Sequence, residues 1–327
     1  MTKDNQLCTT RPRMRRSGFV AATVVAAVFA APAAASAGTP ARHLVDLGTL
    51  GGTCCSVAYA VNAAGDVVGD AGRADGQTHA FRWHKGTMTD LGALAGGYST
   101  ARDVNRKGHA VGYSRAADGT DHAVLWRDGH LIDLGTFGGQ RSYAYAVNDQ
   151  DTVVVLSVAA TGARHGYVWR NGTVTDLGPE AVPHDVNDRG VVAGELSGSG
   201  ATRWRGGVPT AVTPHADTAE AVNARGHVVG YASVGQGDAY LYTGGSFTVI
   251  PRNDDMFAFM DARGVNNRDQ VVGYGNVGPW LWERGTLTIL PDVGGSGGAN
   301  DINDRGQIVG WIGTDHGGNP HAALWTF

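Results

Sequence analysis

Cysteine is nearly absent from this sequence: Cys8, Cys54 and Cys55 are the three in 327 residues. Cys54 and Cys55 are neighbours, and a trans peptide holds adjacent Cα atoms about 3.8 Å apart, below the usual disulfide span of roughly 4.4–6.8 Å. A disulfide framework is therefore excluded as the source of stability. Charge is sparse as well, at 17% Asp, Glu, Lys and Arg. The familiar reactive signatures are missing: there is no Gly-x-Ser-x-Gly, no His-Glu-x-x-His, and no glycine loop leading from a strand into a phosphate-cradling helix. No apolar run is long enough to span a bilayer comfortably, since Phe19 to Ala31 ends too soon. Glycine, by contrast, is abundant at 50 residues. Glycine reaches positive φ without steric cost, so this composition points to many tight turns between short strands and away from long helices.

The N-terminus reads as a targeting segment. Arg11, Arg13, Arg15 and Arg16 form a basic n-region, Phe19 to Ala31 an apolar h-region, and Ala35-Ser36-Ala37 a small-residue cleavage site. This predicts a secretory signal peptide, residues 1–37, cleaved before Gly38, and an extracellular protein. Phe19 sits one place late for a twin-arginine motif, which favours the general secretory route. Cys8 precedes the apolar run, which argues against a lipid-anchored cysteine. Removing residues 1–37 takes five basic residues (Lys3, Arg11, Arg13, Arg15, Arg16) from 26 and one acidic residue (Asp4) from 30, leaving 21 against 29 and a formal charge of −8. A net-acidic surface disfavours non-specific nucleic-acid or anionic-membrane binding.

What dominates the chain is repetition. The stretch from Asp46 to Trp83 reads DLGTLGG, AYAVNAAGDVVG and HAFRW, and later copies carry Asn105, Asn148, Asn187, Asn223, Asn266 and Asn303 where the first has Asn62. Spacings of 43, 43, 39, 36, 43 and 37 residues suit a unit of four short antiparallel strands, the size of a propeller blade. Asn with Gly three places on, as in Asn62-Ala63-Ala64-Gly65, signals a type I turn closed by a left-handed residue. In the third copy Asp151 takes the glycine's place. The expected fold is all-β: a seven-bladed β-propeller forming one domain over residues 38–327. The seventh copy carries no DLG strand after Trp325, whereas residues 41–48 hold a DLG strand that precedes any first strand of its own copy. Residues 41–48 are therefore expected to supply the outer strand of the last blade and close the ring. An aromatic ends each third strand (Trp83, Trp126, Trp169, Trp204, Tyr242, Trp282, Trp325) and is expected to wedge between blades. His79, His122, His165 and His321 share another position and read as structural histidines bonding a neighbouring loop, not as metal ligands.

On these residues the chain resembles the HAF-repeat family of predicted extracellular bacterial proteins, whose name-giving triplet stands here as His79-Ala80-Phe81. The resemblance spans Asp46 to Trp325. It implies an exported repeat protein and carries no characterised activity.

Function is expected on the face built from the loops between second and third strands and those joining blades, because these vary most between copies. The candidate ligand-binding residues there are Arg73, Asp75, Tyr98, Arg115, Arg141, Arg164, Asp254, Asp255, Phe257, Trp280, Trp311 and His316. Mixed aromatic and charged side chains suit an extracellular glycan or a protein, which makes a monomeric, non-catalytic binding or scaffold module the first expectation. No cofactor or metal is expected. Asp103-Val104-Asn105 and Asp301-Ile302-Asn303 resemble calcium-ligand spacing but recur as strand ends. The alternative is a glycoside hydrolase or polysaccharide lyase, which would need two carboxylates converging within about 10 Å at the axial mouth.

Overall fold

The structure is a computed structural model that describes residues 43–326 except 234–236, 253–258, 294–295 and 314–318. The described residues form seven four-stranded antiparallel sheets and no helix. They are arranged as a seven-bladed β-propeller. Blade 1 sets the pattern with β2 (Gly51–Val61), β3 (Val67–Arg73), β4 (Thr78–His84) and β5 (Thr87–Asp90), ordered outward as a meander. Blades 2 to 6 span 99–135, 141–179, 181–211, 221–249 and 260–289. Blade 7 takes β26 (Gly297–Ile302), β27 (Ile308–Ile312) and β28 (His321–Thr326) from the C-terminal end and β1 (His43–Asp46) from the N-terminal end. β1 pairs with β28 as expected, with Leu44 opposite Trp325 and Asp46 opposite Ala323.

The marker asparagines explain the inner turns. Asn62 Oδ1 accepts the amides of Ala64 and Asp66, each at 2.9 Å, while its own carbonyl takes Gly65 N at 3.1 Å. The side chain thus supplies the acceptor that folds the turn. Gly65 has φ +88°, and Asp151 meets the same demand in the third copy at φ +58°. Each asparagine also donates Nδ2 to the carbonyl of the next one, from Asn62 to Asn105 at 2.9 Å through Asn266 to Asn303 at 3.0 Å. The seventh donation, from Asn303, returns to Asn62.

Each hydrophobic cluster joins two blades. Trp126 packs with Ala60, Val68 and Ala80 of blade 1 and with Ala101 and Val124 of its own blade. Trp204 does the same between blades 3 and 4, and Trp325 between blades 6 and 7. The third-strand aromatics are wedges, as expected. The repeated glycine after the Val-Val pair is also forced by packing. A Cβ on Gly69 would lie 1.9 Å from the Val57 carbonyl oxygen and 2.8 Å from the Phe81 ring.

The four histidines do not reach a neighbouring loop. Each pairs with the aspartate of the DLG strand beside it: His79 with Asp90 at 2.9 Å, His122 with Asp133 at 2.9 Å, His165 with Asp176 at 2.7 Å, and His321 with Asp46 at 2.8 Å. The same aspartate accepts the following glycine amide, as Asp90 does from Gly92 at 2.7 Å. Histidine and DLG go together: blades 4, 5 and 6, with Gly200, Asp238 and Gly278 at the histidine's place, lack both. Cys54 and Cys55 are free and half-buried on β2.

Candidate functional site

The innermost strands build a layered axial channel. In six blades that strand carries a β-bulge, with the extra residue three places before the marker asparagine. A bulge leaves its residue unpaired and re-aims its neighbours, so amides and side chains turn toward the axis.

Nearest the turns lie the amides of Val61, Val104, Val147, Val186, Val222, Val265 and Ile302. Three carboxylates cap six of them. Asp103 accepts Val104 N and Val147 N, both at 2.7 Å; Asp185 accepts Val186 N at 2.6 Å and Val222 N at 2.7 Å; Asp301 accepts Ile302 N at 2.7 Å and Val61 N at 2.8 Å. One carboxylate bridges two blades, so seven blades leave one amide over, that of Val265 beside Gly264. The calcium-like spacing at Asp103 and Asp301 is therefore spent on backbone amides, and among the described residues no group of three or more His, Cys, Asp or Glu is placed to hold a metal ion. Burial, together with repulsion from Asp185 and Asp301, pushes the Asp103 carboxyl up to about 8, against the pull of its amide donors. Burial likewise raises Asp185 to about 6 and raises Asp301. An axial cavity of about 320 Å³ opens here on the turn face, lined by the seven asparagines, Asp103 and Asp185. The turns of this face are nearly uniform in sequence, so no variation between copies marks the cavity.

The next layer is a belt of the bulge residues themselves: Tyr59, Arg102, Tyr145, His184, Arg263 and Asn300, with Glu220 at the equivalent place in blade 5. The Arg102 guanidinium lies 4.2 Å from the Tyr59 ring centre and 5.8 Å from that of Tyr145. Tyr145 stacks on His184 with centroids 5.8 Å apart. His184 Nδ1 reaches Glu220 at 3.2 Å, and Arg263 reaches the same Glu220 oxygen at 3.1 Å. Arg263 also holds Asp261 at 2.7 Å and donates to the Tyr274 hydroxyl at 2.8 Å. Asn300 donates to the Ala58 carbonyl at 2.8 Å, linking blade 7 to blade 1. Burial would raise Glu220, but His184 and Arg263 outweigh it and hold the carboxyl down at about 2. Burial dominates at Asp261 and lifts it to about 6. Burial opposes the charge on His184, yet Glu220 wins and its pKa is raised. His184 Nε2 and Asp261 Oδ1 are buried and have no hydrogen-bond partner among the described residues. A donor or acceptor left this way costs about 1–3 kcal/mol unless something else binds it.

The sequence-predicted residues do not converge on this belt. Tyr98 and Arg115 meet, the guanidinium 5.5 Å from the ring centre, and Arg115 pairs with Asp121 at 3.2 Å. Arg73 instead buttresses the His79–Asp90 pair and Asp75 on the outer part of blade 1. Arg164 joins Glu180 and Glu195, and Arg141 is exposed at the start of its strand. Trp311 is half-buried on β27 with its indole against Gly298. Trp280 is a correction. It is fully buried in the cluster between blades 5 and 6, because it stands opposite Gly273, whose missing side chain makes room for the indole. Asp254, Asp255, Phe257 and His316 lie outside the described residues. The belt was missed, although a signal existed: three places before each invariant asparagine the copies differ.

No protein-family model matches the sequence, and no curated protein matches it significantly. Solved structures match by shape. TolB from Acinetobacter baumannii is 15% identical with a TM-score of 0.44, covering 59% of this chain and 53% of TolB. The acylaminoacyl peptidase of Pyrococcus horikoshii is 10% identical with a TM-score of 0.50, covering 82% of this chain and 51% of the peptidase. YCF48, solved bound to a D1 peptide, is 12% identical with a TM-score of 0.50, covering 88% of this chain and 97% of YCF48. The chain thus spans about half the length of the first two. At these identities the likeness is one of fold.

Proposed function

We propose that this is an exported, non-catalytic binding propeller of the HAF-repeat type, which recognises an extracellular glycan or protein through the axial belt and the loop-side residues above it. One observation carries the reading. At one repeat position, bulged in six of the seven blades, the chain places Tyr59, Arg102, Tyr145, His184, Glu220, Arg263 and Asn300, while asparagine recurs unchanged three residues on. Fold alone would be served by one residue type; variety at a fixed inward position, with an unpartnered donor and acceptor, suits an asymmetric ligand. The test is array screening of the chain beginning at Gly38 against glycans and against extracellular proteins, repeated with Arg102→Ala and Arg115→Ala. A bound ligand should lose at least about tenfold in affinity, near 1.4 kcal/mol, with the thermal midpoint nearly unchanged. A ligand indifferent to both substitutions would remove the belt and its loop-side rim from the binding site.

A second reading, hydrolysis or elimination on a polysaccharide, is favoured by Glu220 and Asp261. Both reach one guanidinium, that of Arg263, so they converge within about 10 Å, and their pKa values are driven apart. Against it, Arg263 occupies the space a scissile bond would need. Release of reducing ends from a polysaccharide, lost in Glu220→Gln, would establish it.

A further inference from the structure

Two blade junctions enclose cavities lined by matching positions of the repeat: about 410 Å³ between blades 1 and 2, and about 640 Å³ between blades 3 and 4, both toward the turn face. The first serves as an internal control for the second. The cations that line it are paired. Asp66 holds Arg82 at 2.9 Å and His84 at 2.7 Å, Asp151 holds Lys107 at 3.4 Å, and Asp128 and Asp151 flank His109. Between blades 3 and 4 all three acidic positions are gone. Thr152 stands where Asp66 does, Gly206 where Asp128 does, and Gly226 where Asp151 does. Cations remain at the neighbouring places: Arg170 stands where His84 does, Arg189 where Lys107 does, and Arg205 where Arg127 does. No Asp or Glu lines the cleft, and among the described residues none of its three exposed arginines has an acidic partner.

Three guanidiniums without acidic partners around one cleft are not required by the fold, since the first junction builds the same groove with aspartates beside its lining cations. In a mature chain of charge −8 the local excess is against the general trend. Behind the arginines the wall is apolar, with Val168 and the buried Leu177, Val192 and Trp204. We propose that the cleft between blades 3 and 4 binds a small organic anion, whose carboxylate, sulfonate or sulfate group meets Arg170, Arg189 and Arg205 while its apolar body lies against Leu177 and Val168. Guanidinium forks suit such multi-oxygen heads, and the volume is that of a small-molecule site. This site lies on the opposite face from the loop-side recognition proposed above and does not depend on it.

The probe pair is 8-anilinonaphthalene-1-sulfonate and its uncharged counterpart N-phenyl-1-naphthylamine, titrated by fluorescence against the folded chain. The sulfonate should bind at one site, at least tenfold more tightly than the neutral dye, and weaken as salt is raised. Replacing all three arginines by glutamine should weaken the sulfonate about tenfold or more, with the thermal midpoint unchanged because these side chains carry no ion pairs. Arg127→Gln, at the matching place of blade 2, should leave binding as it was. Should the triple variant fail to fold, Arg189→Gln and Arg205→Gln separately should each weaken the sulfonate about threefold, the graded loss expected when rim charges share one anion. Equal binding of the two dyes, or sulfonate binding untouched by the arginine substitutions, would overturn the proposal.

Discussion

Asn303 donates its side-chain amide to the backbone carbonyl of Asn62 at 2.9 Å, across 241 residues of sequence. This is the link at which the asparagine ring meets itself. It lies in the same blade junction as the other long-range closures, where Asp301 accepts Val61 N and Ser56 Oγ accepts Ala322 N at 2.8 Å. Closure therefore rests on the inner strand as well as on the outer strand β1.

A chain beginning at Gly52 lacks β1, the buried Leu47 and the His321–Asp46 pair, and leaves β28 as an open edge. Compared with the chain beginning at Gly38, it should lose more than about 4 kcal/mol of stability or aggregate through that edge. Equal thermal midpoints for the two chains would contradict a closed ring. Asn303→Ala should cost less, about 1–3 kcal/mol, for the buried groups it leaves unpaired.

Trp204→Ala should destabilise by about 3–5 kcal/mol in denaturant unfolding, because the indole is 1% exposed and fills the seam between blades 3 and 4. Trp126→Ala should cost a similar amount, since Trp126 is also buried, between blades 1 and 2. A loss below about 1 kcal/mol at either position would place that side chain at the surface.

Stability should fall as pH rises from about 4 to about 8. The Asp103, Asp185 and Asp261 carboxyls titrate higher in the folded chain, at about 8, 6 and 6, than in the unfolded one, so the native state binds more protons across this window. Glu220 has the opposite sign, since its depressed value adds stability that is lost only as pH falls toward 2. Denaturant midpoints at pH 5 and pH 8 check the sign. Asp103→Ala, the residue its counterparts Ala60, Ala146 and Ala221 already carry, should flatten the decline above pH 6. A midpoint higher at pH 8 than at pH 5 would show that the amide donors outweigh burial at these carboxylates.

Much of this molecule is settled by local chemistry that the chain repeats. An asparagine that folds its own turn, a glycine that leaves room for a bulged strand, and a histidine paired to the next strand's aspartate act within one blade. The blade count and the displaced outer strand follow from counting them in the sequence. The axial belt does not follow in that way. Tyr59, Arg102 and His184 become neighbours only when separate innermost strands share an axis, and the bulge shifts the side-chain alternation at that point. Trp280 shows the same limit: whether an indole lies in a seam or on a rim depends on the strand opposite, here Gly273. The three aspartates capping six of seven amides, and the three arginines left without acids between blades 3 and 4, likewise exist only in the closed ring. The sequence by itself determined the blade; the tertiary structure decided which blades face each other, and with that which charges and unpaired groups meet.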